Sequence, residues 1–127
     1  MSGQRILYIE DTFESRLLVK RVLMVEGFEV LEAENALVGI VLARREAPDL
    51  ILMDLNLPEI DGLTATMKLR AIPSLEHVPI VALTANVMRE HLEQAKAAGC
   101  DGFIAKPVDI DKLPDQVRSY LGSRRNE

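Results

Sequence analysis

Pro48-Asp49-Leu50-Ile51-Leu52-Met53-Asp54-Leu55-Asn56-Leu57-Pro58-Glu59-Ile60-Asp61-Gly62 runs from an apolar segment through one carboxylate into a turn. Leu50 to Met53 are four consecutive apolar residues, the pattern of a strand buried on both faces of a parallel sheet. The run ends at Asp54, and Asn56, Pro58 and Gly62 beyond it are turn formers. A carboxylate therefore stands where a central strand leaves its sheet. In open α/β sheets, ligands bind beyond that end of the strands. The plainer reading of Asp54 alone is the cap of a strand or turn, so the flanking chain has to decide.

Working outward, residues 5–9 (Arg-Ile-Leu-Tyr-Ile) form a short β-rich run that ends in Glu10 and Asp11. Residues 13–26 read as a helix closed by Gly27. A second strand covers 28–33, and Asn35 caps a helix over 36–46. Beyond the central strand, a helix over 61–71 stops near Pro73. A fourth strand over 78–83 ends in Thr84-Ala85-Asn86. A helix over 87–98 closes at Gly99. A fifth strand over 101–105 ends in Lys106-Pro107, and Asp109 caps a last helix to about Leu121. Residues 122–127 are a polar tail expected to fray. Strand and helix alternate five times, which predicts a doubly wound α/β fold: five parallel strands, helices on both faces and right-handed crossovers. Glu10, Asp11, Asp54, Thr84 and Lys106 all follow strands, so this fold gathers them at one edge.

Three carboxylates that close raise one another's pKa, and a bound divalent cation relieves the crowding. Oxygen donors without a neighbouring His or Cys favour Mg²⁺ over zinc or copper. Lys106 adds a positive point charge and Thr84 a hydroxyl donor. Metal, ammonium and hydroxyl together neutralise a phosphoryl group in transfer. Asp54 is then the nucleophile, because carboxylates form aspartyl-phosphate intermediates.

Composition narrows the classes further. The 127 residues fit one domain over 1–127, with a core of about 4–121. The net charge of −5 argues against a nucleic-acid partner. No run of about 18 apolar residues predicts a membrane span. Cys100 has no partner for an internal disulfide, which suits a cytoplasmic protein. His77 and His91 read as surface residues.

These residues and their spacing resemble the CheY-like receiver domains of two-component response regulators, over about residues 4–121. The resemblance implies a 2-1-3-4-5 strand order and a non-enzymatic signalling role, with Asp54 as phosphoacceptor. It implies Glu10, Asp11, Asp54 and the backbone carbonyl of Asn56 as Mg²⁺ ligands, and Thr84 as the switch hydroxyl beside a small Ala85. Lys106 matches the phosphate-binding lysine, Pro107 the proline whose peptide bond is commonly cis, and Phe103 the switch aromatic. Glu10 in place of Asp and Phe103 in place of Tyr are departures within the family's range. The implied donor is a histidine kinase or histidine phosphotransfer protein. The side chains of Asn56 and Asn86 would flank the water that hydrolyses the acyl phosphate. The output would pass to a downstream protein through the face of helix four, strand five and helix five, the chain acting as a monomer or weak dimer. With six residues after Leu121, a stand-alone regulator signalling by protein binding is expected.

Rival readings fit less well. An aspartate-nucleophile phosphatase needs an acid where Asn56 stands, and a flavodoxin-like carrier would have its phosphate repelled by Glu10-Asp11. A receiver fold that docks without phosphorylation is the alternative the acidic set argues against. Helix one adds a surface expectation. At about 100° per residue, Leu18, Val19, Val22 and Leu23 face the sheet, leaving Phe13, Leu17 and Met24 as a second apolar stripe for docking the donor's helical bundle.

Overall fold

β3 (Leu50–Asp54) is buried along its whole length because both of its faces are covered. In this computed structural model, which describes residues 3–57 and 61–122, the other strands are β1 (Arg5–Ile9), β2 (Glu29–Ala33), β4 (Ile80–Thr84) and β5 (Gly102–Ala105). The helices are α1 (Phe13–Val25), α2 (Ala36–Glu46), α3 (Gly62–Arg70), α4 (Arg89–Ala98) and α5 (Leu113–Gly122). The strands pair in parallel in the order β2-β1-β3-β4-β5. Alternate residues enter two cores, as a period of two requires. Leu7, Ile9, Ile51, Met53, Ile80 and Ala82 meet α2, α3 and α4 on one face. Ile6, Tyr8, Leu50, Leu52, Val81 and Leu83 meet α1 and α5 on the other.

The register sets the strand ends level with one another. Ile9 pairs with Met53, Asp54 with Leu83, and Thr84 with Ala105. Glu10, Asp54, Thr84 and Lys106 thus leave the sheet within two residues of one another. The Asn35 side chain accepts from Val38 N at 2.9 Å, capping α2 as expected, and Asp61 caps α3 by accepting from Thr64 N at 2.9 Å. At Gly62 a Cβ would collide with the Leu55 backbone, so glycine is what lets α3 start against the segment leaving β3. Pro58, Glu59 and Ile60 of the opening stretch, and the tail after Gly122, lie outside the described residues.

Three local expectations are corrected. Leu18 does not face the sheet; it is 49% exposed, and the buried residues of α1 are Arg16, Val19 and Leu23. Arg16 tolerates burial because its Nη1 donates to Glu10 O at 2.7 Å and its Nε lies 3.5 Å from Glu32 Oε1. Leu17 is half-buried, while Phe13 and Met24 are exposed as expected. α4 begins at Arg89 rather than at residue 87, because the Asn86 side chain accepts from Met88 N at 3.1 Å and holds a loop there. Asp109 caps a turn, accepting from Asp111 N at 3.0 Å, and α5 starts four residues later. A short 3-10 turn over Pro73–Leu75, unforeseen in the sequence, leads towards β4.

Candidate functional site

Five segments build the site. The end of β1 is fixed by Glu10 N donating to Ala33 O at 3.0 Å and by Arg16 holding the Glu10 carbonyl. Glu10 and Asp54 are each 2% exposed, Asp11 stands open to solvent, and ligand oxygens of all three acids lie within 4.8 Å of one another. Tyr8, wholly within the core, donates its hydroxyl to Glu10 Oε1 at 3.2 Å, and Thr12 N donates to Oε2 at 3.2 Å. Asn56 N donates to Asp54 Oδ1 at 3.0 Å, so the turn after β3 orients the central carboxylate.

Lys106 closes the cluster, with Nζ 3.1 Å from Asp54 Oδ1 and 3.4 Å from Glu10 Oε1. Among the described residues, it is the cation ion-paired with these acids. The Lys106-Pro107 peptide bond is cis, as the resemblance implied. One ammonium does not balance three acids. Burial, followed by the hydrogen bond and charge of Asp54, pushes the Glu10 carboxyl above its ordinary pKa. Burial alone would lower the Lys106 pKa, but the charges of Asp54 and Glu10 outweigh it and raise the ammonium's pKa. The Tyr8 hydroxyl is held protonated by burial and by the Glu10 charge. An excess of crowded oxygen donors, with no nitrogen or sulfur among them, fits a hard dication such as Mg²⁺.

Beside this cluster lies a cavity of about 210 Å³ lined by Asp54, Asn56, Thr84, Ala85, His91 and Lys106, among others. Thr84 is buried, and its hydroxyl bonds away from Asp54. Its Oγ1 accepts from Asn86 N at 3.0 Å, donates to Asn86 O at 3.4 Å, and lies 3.3 Å from His91 Nε2. His91, expected on the surface, is instead brought to the site by α4. Asn86 lines the same cavity, but its side-chain oxygen is engaged by Met88 N. Phe103 on β5 is 40% exposed and outside the lining of this cavity, and Tyr120 donates its hydroxyl to Phe103 O at 3.4 Å. Phe13, Leu17 and Met24 lie on α1, outside the cavity lining. Tyr8 and Arg16 are the other residues the sequence reading missed. Tyr8 looked like one more apolar strand residue, and Arg16 like a solvated charge. The signal available was position: two before and six after Glu10.

Comparison with known proteins agrees with this geometry. The family model for the response regulator receiver domain matches residues 6–118. The polar-differentiation response regulator DivK of Brucella anthropi is 35% identical over 117 residues, covering 92% of this chain and 95% of that protein. Among solved structures, the receiver domain of a Pseudomonas aeruginosa sensor histidine kinase superposes with a TM-score of 0.87 at 34% identity, covering 96% of this chain and all (100%) of that one; it holds a magnesium ion coordinated in its active-site cleft. The chemotaxis protein CheY4 of Vibrio cholerae, at 24% identity, shares the fold with a TM-score of 0.89 over 93% of this chain and 98% of its own.

Proposed function

We propose, because this chain belongs to the family of response regulator receiver domains, that Asp54 accepts a phosphoryl group from phosphohistidine on a histidine kinase or histidine phosphotransfer protein. A carboxylate oxygen of Asp54 attacks phosphorus while the N–P bond of the donor breaks. The electron pair of that bond leaves with the imidazole, which takes up a proton. Glu10, Asp11, Asp54 and the carbonyl of Asn56 would hold Mg²⁺, which would supply positive charge against the phosphoryl oxygens. Lys106 Nζ, already 3.1 Å from Asp54 Oδ1, turns to a phosphoryl oxygen. Glu10 is kept in place by Tyr8 and Thr12 N, and its backbone by Arg16. Thr84 leaves its partners to donate to the phosphoryl group, and Phe103 follows inward. The surface of α4, β5 and α5 then takes the form a downstream protein recognises. Water ends the signal by hydrolysing the acyl phosphate, so the chain works as a signalling phosphoacceptor. A cytoplasmic site of action suits the buried free thiol of Cys100, and no helix among the described residues is long and apolar enough to cross a membrane.

The observation that carries this reading is the crowding of Asp54, Glu10 and Asp11 around a single lysine at the mouth of a cavity. The test is incubation with acetyl phosphate followed by intact mass. One added phosphoryl group that requires Mg²⁺ supports the reading; no gain under any condition favours a domain that docks without phosphorylation. The donor protein docks on the exposed apolar residues of α1, Phe13 and Met24, with Leu17 at their margin. Phe13→Glu should slow transfer from the cognate donor roughly 10-fold, about 1.4 kcal/mol of lost docking, and leave labelling by acetyl phosphate intact. Equal loss of both would remove the docking surface from the account.

A further inference from the structure

His91 is the third residue of α4, half-buried, with its ring on the same cavity as Asp54 and Lys106. Its Nε2 lies 3.3 Å from Thr84 Oγ1, the hydroxyl donating to the ring or the ring N–H to the hydroxyl according to the tautomer. Every hydrogen bond found for the Thr84 side chain points towards the loop and α4: Asn86 N, Asn86 O and His91. The Asp54 carboxylate is engaged by Lys106 and Asn56 N. A phosphoryl group on Asp54 can therefore gain the Thr84 hydroxyl only by taking it from these partners. Asn86 adjoins Thr84 on the same loop and can follow it. His91 is fixed to a helix.

We infer that His91 is a positioning residue that latches Thr84 in its resting place and ties the first turn of α4 to the phosphorylation site. The first turn has little else to anchor it. Its N-cap, Met88, makes no side-chain capping bond, and Val87 and Met88 before it are exposed. When Thr84 swings to the phosphoryl group, His91 loses its partner and the α4 turn loses its tether. Phosphorylation is read at α4 because one hydroxyl cannot serve both sites. His91 thus sets how much of the phosphoryl group's binding to Thr84 is spent on releasing α4. The inference rests on the phosphoacceptor reading.

The test uses beryllofluoride with Mg²⁺, a non-covalent phosphoryl mimic, titrated into the full chain and followed by the amide resonances of Thr84 and Phe103. A net hydrogen bond of ordinary strength corresponds to a factor of about 5. His91→Ala should therefore bind the mimic about 5-fold more tightly than the wild type. His91→Gln, whose amide nitrogen can occupy the place of Nε2, should return to the wild-type value; His91→Asn, which can mimic only Nδ1, should behave like alanine. In a Thr84→Val background, His91→Ala should change nothing. Unchanged affinity in His91→Ala, an equal gain in the Thr84→Val background, or weaker binding would each overturn the latch. If the wild type takes up neither acetyl phosphate nor beryllofluoride, the phosphoacceptor reading falls and the latch with it. If it takes up both and the His91 variants match it, only the latch falls.

Discussion

At the amino-terminal edge of the sheet, Asp49 and Asp101 stand just before β3 and β5, and each is matched by donors. Arg5 N donates to Asp49 Oδ2 at 2.7 Å. Asp101 Oδ2 accepts from Arg70 Nη2 at 2.8 Å and from Ile80 N at 2.9 Å. At the carboxyl-terminal edge, Glu10, Asp11 and Asp54 crowd around Lys106. The residue types are the same and the consequences opposite. An acid that meets a backbone N–H and a guanidinium anchors the strand it precedes. An acid held against two others raises the free energy of the metal-free chain, and a bound divalent cation would lower it again. The fold places anchorage at one edge and chemistry at the other.

Substitutions at the two edges should therefore separate stability from labelling. The largest effect is at Asp54: Asp54→Asn should abolish phosphoryl incorporation and raise the unfolding midpoint of the metal-free chain, because it removes one of the crowded charges. A lower midpoint would mean that the cluster is not under mutual repulsion. Next, Lys106→Ala should slow labelling by acetyl phosphate roughly 10²-fold, the usual consequence of losing one charged contact to a transferring group, as followed by the rate of mass gain. At the opposite edge, Asp101→Ala should cost about 2–3 kcal/mol in urea unfolding, since it removes the carboxylate that accepts from Ile80 N and pairs with the partly buried Arg70 guanidinium, which keeps its backbone carbonyl acceptors. The labelling rate of the folded protein should stay at the wild-type value; a parallel loss of labelling would erase the division between edges.

Smaller effects lie in the pH dependence of stability. Glu10 has a raised pKa in the folded chain, so its contribution is full below its ordinary value of 4.5 and is lost as pH rises through the folded value. Glu32 behaves in the opposite sense. Its hydrogen bond to Lys20, at 2.8 Å, and the nearby charges of Lys20 and Arg16 lower its pKa against a smaller opposing effect of burial. Its contribution is present above 4.5 and is lost as pH falls through the lowered value. Metal-free unfolding curves should show Glu10→Gln gaining on the order of 1 kcal/mol over wild type at neutral pH. Glu32→Gln should lose roughly 0.5 kcal/mol there, and both differences should shrink in acid. Differences that stay constant across pH would detach the two networks from ionisation.

Which parts of this were legible in the sequence follows from what each residue needs. The strand ends could be read because β1, β3 and β4 are short apolar runs stopped by polar residues, and parallel crossovers leave one edge for Glu10, Asp54, Thr84 and Lys106. The face of α1 was legible at Val19, Val22 and Leu23, which pack inward, but not at its edge, where Arg16 is drawn inward by the Glu10 carbonyl and Glu32 and Leu18 lies outside. His91 was missed for a related reason. Its position depends on where α4 starts, and the Asn86 side chain moves that start to Arg89. His91 stands four residues before Ala95, the buried residue of α4, and so shares its inward face. The hydroxyl of Tyr8 was hidden by its aromatic ring, which fills the core as any apolar residue would. Side chains that bond to backbone or to distant elements escape local pattern; those fixed by where a strand ends do not.

The most direct test of the central claim traps the phosphoryl group where it sits. The chain is incubated with acetyl phosphate and Mg²⁺, then reduced with borohydride, which converts an aspartyl phosphate to homoserine, and the peptides are sequenced by mass spectrometry. Homoserine at position 54, absent without Mg²⁺, with no homoserine at position 11 and no 5-hydroxynorvaline (the product of a glutamyl phosphate) at position 10, is the result this account predicts. A modified residue elsewhere, or none in a chain that has gained the mass of a phosphoryl group, would contradict it.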